Sequence, residues 1–323
     1  MTSSEGRTIF VKYGYSASGK GGWEARTKDE NRRGVHPAGD YRPFAGKKQE
    51  IIMHTSRVYK GIRGEGVFRA ATVGALALLC LFFTGILASL FTYTDWGTLV
   101  STLFSREIFL AIRLSVVTAT VATVISVLIG IPAAYAISHA EFRGKSVVDT
   151  ILDLPIVVSP VALGAALLVF FNNPVGMGIE KYFMRFVFEV PGIVLAQFTV
   201  VSALSVRLMK TTFDSIDPRF EQVGRTLGCS KVSVFFRVTL PLARNGLIAS
   251  CILTWARAVG EFGATITLAG AMKPKTETLP VAIFLSLSTA DIEKAIAVII
   301  TLVAISAAAL LVLRKIGKRG FPV

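Results

Sequence analysis

Charge is scarce in this chain. Of its 323 residues, 17% are Asp, Glu, Lys or Arg, against about 25% in an ordinary soluble domain. Hydrophobic residues make up 52%, and the mean hydropathy is +0.60. That shortage excludes an ordinary soluble domain and points to an all-α integral membrane protein. Cysteine is scarce as well. Cys80, Cys229 and Cys251 are odd in number and far apart, which excludes a disulfide framework and a thiolate metal site. The three histidines, His36, His54 and His139, do not stand at ligand spacing from a carboxylate or thiol, so no metal site is expected. No constellation of nucleophile, base and acid is visible, so no catalytic residue is expected. The chain reads without a signal peptide: the first 66 residues are polar, basic and glycine-rich, and the first apolar run follows them.

What charge there is has one dominant sign, a formal net +14. No basic segment is interleaved with a nucleic-acid-binding motif, so nucleic acid is not the expected partner. In a membrane chain the excess is a topology signal, because Lys and Arg collect on the cytoplasmic side. Six apolar runs are long enough to span, at roughly 70–93, 108–137, 154–172, 192–209, 242–269 and 294–313. Taken alternately, one set of flanking segments holds 25 Lys and Arg and the other set 5, and the split stays 11 to 5 without the N-terminal tail. Both termini and the 210–241 loop are therefore expected in the cytoplasm, in a multi-pass cell-membrane protein.

The expected division is a polar basic tail over 1–66, a membrane domain over 67–316 with a structured loop at 214–241, and a short C-terminal tail over 317–323. The first tail contains GYSASGKGG. There Gly14, Gly19 and Lys20 fit the start of a phosphate-binding loop, but Gly21 stands where that motif needs Ser or Thr for magnesium. A poorly ordered glycine-rich tail is the alternative. A third reading starts the chain at Met53, which opens MHTSRVYKG and leaves a short basic leader.

The segment IDPRFEQVGRTLGCSKVSVFFRVTLPLAR is the most informative. Asp217 suits an N-cap and Pro218 a first helical position. Phe220, Val223 and Leu227 fall at i, i+3 and i+7, one apolar face of a short helix. Glu221, Gln222 and Arg225 lie off that face. Gly228 can end the helix in a left-handed conformation. Ser230 can cap a second helix holding Phe235, Phe236 and Val238, which Leu240-Pro241 is expected to stop. Two readings stay open on the residues alone: an interfacial helix lying on membrane lipid, or a docking knob for a soluble partner.

This pattern resembles the EAA loop of ABC-importer permeases. Gly228 takes the glycine of that motif, Val238 its apolar position, and Leu240-Pro241 its closing dipeptide. The opening triad falls on Gln222-Val223-Gly224, which departs from the consensus, and Glu221 comes one residue early. RTLGCSKVSVFFRVTLPLARNGL with ARAVGEFGATITLAG, LPIVVSPVALGAALL and TETLPVAIFLSLSTADIEKA are similar to the molybdate/tungstate branch, with sulfate permeases as near relatives. The similarity covers about residues 105–315. The resemblance implies the type I importer permease architecture of about six membrane helices, and a homodimer around one path. It implies two cytoplasmic ATP-binding subunits that hold ATP and magnesium, no cofactor on this chain, and an extracytoplasmic solute-binding protein. A sulfate or thiosulfate permease keeps the class and changes the cargo.

Candidates for the path or gate are Ser159, Pro160, Gly164, Arg257, Glu261, Thr265 and Thr267. Small and hydroxyl-bearing walls suit a dianion that must not be trapped, although small residues equally serve helix packing. Pro155 and Pro160 interrupt the third span, either as a plain kink or as a break that lines the path. Arg257 and Glu261 stand i, i+4 in the fifth span, where each charge alone costs about 2.5–3.5 kcal/mol at mid-bilayer. Paired, they are either a structural bridge or part of a gate. Gly260 and Gly263 beside them allow close helix approach. Arg113 and Arg207 are expected to snorkel to the headgroups. An ion-coupled secondary transporter, the alternative class, should carry inverted repeats and more intramembrane acids. No second copy of the 216–265 pattern is visible.

Overall fold

The computed structural model describes residues 46–92, 96–141, 143–273 and 275–319. The glycine-rich stretch around Gly14, Gly19 and Lys20 lies outside them. The chain divides into two compact units, Met1–Ala77 and Leu78–Val323. Helix α1, Gly46–Leu90, begins well inside the stretch read as a tail. Its opening, Lys47 to Met53, consists largely of good helix formers, and Met53 lies within it. The other helices are α2 (Trp96–Leu103), α3 (Arg106–His139), α4 (Lys145–Val157), α5 (Pro160–Phe171), α6 (Pro174–Tyr182), α7 (Val190–Asp214), α8 (Arg219–Thr226), α9 (Lys231–Val234), α10 (Leu240–Val259), α11 (Gly263–Ala269), α12 (Leu279–Ser288) and α13 (Ile292–Arg319).

Five helical stretches are long and apolar enough to cross a membrane: Gly66–Leu90, Arg106–His139, Val190–Asp214, Lys231–Val259 and Ile292–Val312. The pair α4 and α5 makes a sixth if it is taken as one span. In place of a straight third span over 154–172, these two helices meet at 108°. Pro155 sits in the last turn of α4 and Pro160 opens α5. A proline tolerated at a first helical position cannot continue a helix from before it, so the bend falls at Val158-Ser159.

The expected fifth span, 242–269, is also divided. α10 ends at Val259, and α11 starts at Gly263. Upstream, the expected stop at Leu240-Pro241 does not occur. The helix runs from Lys231 through a π-helical turn, Phe235–Thr239, into α10. Pro241 has no N–H and its ring would press on the carbonyl four residues back. The wider turn, in which the Leu240 N–H bonds the Phe235 carbonyl, absorbs that misfit.

The centre of the second unit is α3 against α7. Buried residues along α3 recur every three or four positions, at Ile108, Ala111, Ser115, Ala119, Ala122, Ser126, Gly130, Ala134 and Ile137. This is the 3.6-residue period of a helix face, and it is built mostly from small side chains. The matching face of α7 includes Ile193, Ala196, Val200, Val206, Met209 and Phe213. At one end Ala134 and Ile137 pack with Met209 and Phe213 of α7 and with Ala243 and Leu247 of α10. At the other, Ile108 and Ala111 pack on Leu279 and Ala282 of α12 and Ala297 and Val298 of α13. There the buried Ser115 hydroxyl accepts the Leu279 N–H at 2.7 Å, which satisfies one free donor at the start of α12.

Candidate functional site

Two regions hold the residues singled out by sequence. The first is the loop between α7 and α10. The Asp217 carboxylate accepts the Arg219 N–H at 2.9 Å and so caps α8. The helix ends in a complete Schellman arrangement. Gly228 stands at φ +86°, its N–H bonds the Arg225 carbonyl at 3.0 Å, and the Cys229 N–H bonds the Gly224 carbonyl at 3.2 Å. The space around Gly228 would admit a Cβ, so the demand for glycine is conformational rather than steric. Ser230 caps α9 as expected, accepting the Ser233 N–H at 3.2 Å.

Phe220, Val223 and Leu227 are 55%, 59% and 79% exposed. They do not pack on the helices of this chain, although exposing them costs hydrophobic free energy. Gln222 and Arg225 are exposed beside them. Gly224 faces the other way, where an added Cβ would lie 3.1 Å from Val234 Cγ2. Glu221 also turns inward, away from the polar edge expected of it. Thr239 donates to it at 2.5 Å, and His139 Nε2 lies 3.2 Å from the same oxygen. Nothing in the sequence signals that His139 and Thr239 meet Glu221, since 82 residues separate His139 from Glu221. A groove of about 810 Å³ opens alongside, lined in part by His139, Gln222, Arg225 and Lys231.

The second region is where α5 and α11 begin. An added Cβ on Gly263 would lie 2.9 Å from Val161 Cγ2 and 3.0 Å from the Val161 nitrogen. One on Gly164 would lie 2.8 Å from the Ala264 backbone. The two short helices thus meet backbone to backbone, and Gly164 and Gly263 are contact positions. Gly260, by contrast, meets only the backbone of α10, which it ends, so it is not a point of close helix approach. Thr265 is fully buried with its hydroxyl unpartnered, and Thr267 bonds back to the Gly263 carbonyl at 2.7 Å. Ser159 is exposed and makes no capping bond, and Pro160 touches the Gly263 position.

Glu261 stands in the break between α10 and α11, not on a continuous helix with Arg257. The pair forms nevertheless, at 2.7 Å between Arg257 Nη1 and Glu261 Oε2. The other carboxylate oxygen accepts the Ala264 N–H at 3.0 Å, a free donor of the first turn of α11. Glu261 is 1% exposed, whereas the Arg257 side chain is 39% exposed. The break therefore places the acid inside and leaves the base at the surface of this chain. Arg207 does not merely snorkel. Its guanidinium grips Asp153 through two nitrogens and reaches Asp149 at 3.5 Å, tying α4 to α7. The i, i+4 spacing of Asp149 and Asp153 was the available signal. Among the described residues, no group of three or more His, Cys, Asp or Glu could hold a metal ion.

Comparison with known proteins identifies the family. A family model described as "binding-protein-dependent transport system inner membrane component" matches residues 126–320. The probable molybdenum ABC transporter permease protein of Haloferax volcanii is 36% identical over 77% of this chain and 91% of its own length. The molybdate/tungstate transport system permease protein of Pyrococcus furiosus is 34% identical over 80% of this chain and 94% of its own. Among solved structures, a chain of a bacterial ABC transporter involved in alginate import matches with a TM-score of 0.66 at 16% identity. It covers 81% of this chain and 99% of that one, a likeness of fold.

Proposed function

The chain belongs to the family of binding-protein-dependent transport system inner membrane components, and from that premise we propose that it carries molybdate or tungstate through an ATP-driven importer. It is a multi-pass permease subunit. In this reading two copies line one path, and a solute-binding protein delivers the oxyanion from outside. Two separate subunits hold ATP and magnesium on the cytoplasmic side, where both termini of this chain lie. The names of the relatives support the cargo.

The observation that carries the reading is the outward apolar face of α8. Three large side chains are held at 55–79% exposure on a capped helix. Such a face suits insertion into a groove of a partner, which then moves the helix as a rigid element. The partner is the ATP-hydrolysing subunit. The Arg257–Glu261 bridge and the α5–α11 contact stand at the other end of the lever, beside the path, where Ser159 is exposed and Thr267 half-buried.

The test is purification of the tagged chain with its neighbours. An ATPase subunit should accompany it in equal amount and be lost when Phe220 and Leu227 are both changed to Asp. A wild-type chain that retains no ATPase, with uptake driven by an ion gradient, would make it a secondary transporter.

A further inference from the structure

We propose that Glu221 is a positioning residue that fixes α8 to the last turn of α3 and to the π-helical turn opening α10, so that displacement of α8 reaches both membrane helices. The inference rests on the reading of α8 as the docking element.

An eight-residue helix is about 12 Å long and too short to be stable by itself. Its outer face is exposed, so its grip on the bundle depends on its inner face. There Gly224 lets α8 approach Val234 closely, but that contact reaches only the Lys231–Val259 helix and not α3. The link to both membrane helices is the Glu221 carboxylate. It accepts the Thr239 hydroxyl at 2.5 Å and has His139 Nε2 at 3.2 Å. Tyr135 and His139 are one turn apart at the end of α3.

The anchoring groups are themselves held. Thr239 is fully buried in the π-helical turn. A threonine in a regular helix commonly bonds its own backbone four residues back, whereas this one spends its proton on Glu221. The His139 ring stacks on Tyr135 at 4.3 Å, and its Nδ1 lies 3.2 Å from the Tyr135 carbonyl oxygen. Tyr135 in turn meets Phe213 of α7 and Phe235 of the π turn edge-on, at 5.7 and 4.7 Å. Beside Glu221 the groove lined by Gln222, Arg225 and Lys231 separates α8 from α3, so the carboxylate bridges its inner end. A partner pushing on Phe220 and Val223 therefore pulls on α3 and α10 through one acidic side chain. That side chain points away from the face the partner would occupy.

The experiment uses the full chain, reconstituted in liposomes with its ATPase and solute-binding protein, and labelled molybdate as probe. Glu221→Ala should keep the ATPase bound at the wild-type ratio while molybdate moved per ATP hydrolysed falls about fivefold, the worth of one hydrogen bond. Thr239→Val removes the donor at nearly constant volume and should give a similar fall. Together the two changes should cost little more than either alone. Glu221→Gln keeps an acceptor oxygen and should restore most of the stoichiometry. A Glu221→Ala complex with wild-type molybdate per ATP overturns the proposal and leaves the docking reading standing. Loss of the ATPase from Glu221→Ala also overturns it, because Glu221 would then belong to the docking face. If the wild-type chain holds no ATPase, the docking reading itself falls.

Discussion

At Gly228 the backbone is left-handed and nothing crowds the α-carbon. Any side chain there meets a conformational cost of about 1–2 kcal/mol, more with β-branching. Gly228→Val is therefore expected to abolish co-purification of the ATPase while the permease stays in the membrane, and Gly228→Ala to weaken it. Normal retention and transport in the valine variant would remove Gly228 from the mechanism. The glycine was legible because its signal is local: a capped apolar face that must end within one turn. Glu221 was legible as a polar group but not in its direction, since its partners come from α3 and from a turn that Pro241 forces. The buried Glu261 makes a sharper case. Arg257→Met alone leaves its carboxylate with one backbone donor, a loss of about 3 kcal/mol for a buried charge, less what solvent recovers. Arg257→Met with Glu261→Gln removes both charges and keeps an acceptor for Ala264. The double variant should melt above Arg257→Met in detergent. The opposite order would mean that the bridge contributes little to stability. If the double variant assembles and hydrolyses ATP but does not move the anion, the pair belongs to the gate.

Among the elements, the breaks separate what sequence could and could not place. Runs of apolar residues located the spans approximately, five as single stretches and the third as a bent pair. Pro155 and Pro160 announced an interruption but not its 108° angle, which depends on α5 turning to lie against α11. That contact needs Gly164 and Gly263, where an added Cβ would fall within 3.0 Å of other atoms. Gly263→Val should prise the two short helices apart and lower stability by about 1–3 kcal/mol, as overpacking does. An unchanged melting temperature would mean that α5 and α11 shift freely. Pro241 misled for a related reason. Proline ends a helix only if no wider turn is available, and the π-helical turn supplied one. Cutting the tie between α4 and α7 with Asp153→Asn should also loosen the bent pair. Because both side chains are partly exposed, the expected loss is nearer 1 kcal/mol than the full value of a buried pair.

At the scale of the whole molecule, composition gave the class and charge asymmetry gave the expected orientation. Neither could reveal the cargo, because a tetrahedral dianion leaves no motif of its own in an apolar chain. Orientation has a direct reporter. Cys229 is the one cysteine of the sequence outside the spanning stretches, as Cys80 and Cys251 lie within them. A membrane-impermeant thiol reagent should label Cys229 in inside-out vesicles and spare it in intact cells; labelling from outside would invert the topology. Class and cargo are decided together by uptake of labelled molybdate, tungstate and sulfate into liposomes holding the permease, its ATPase and its solute-binding protein. Molybdate and tungstate should accumulate only with ATP, and sulfate far less. Accumulation that follows an ion gradient without ATP, or that favours sulfate, would contradict the assignment.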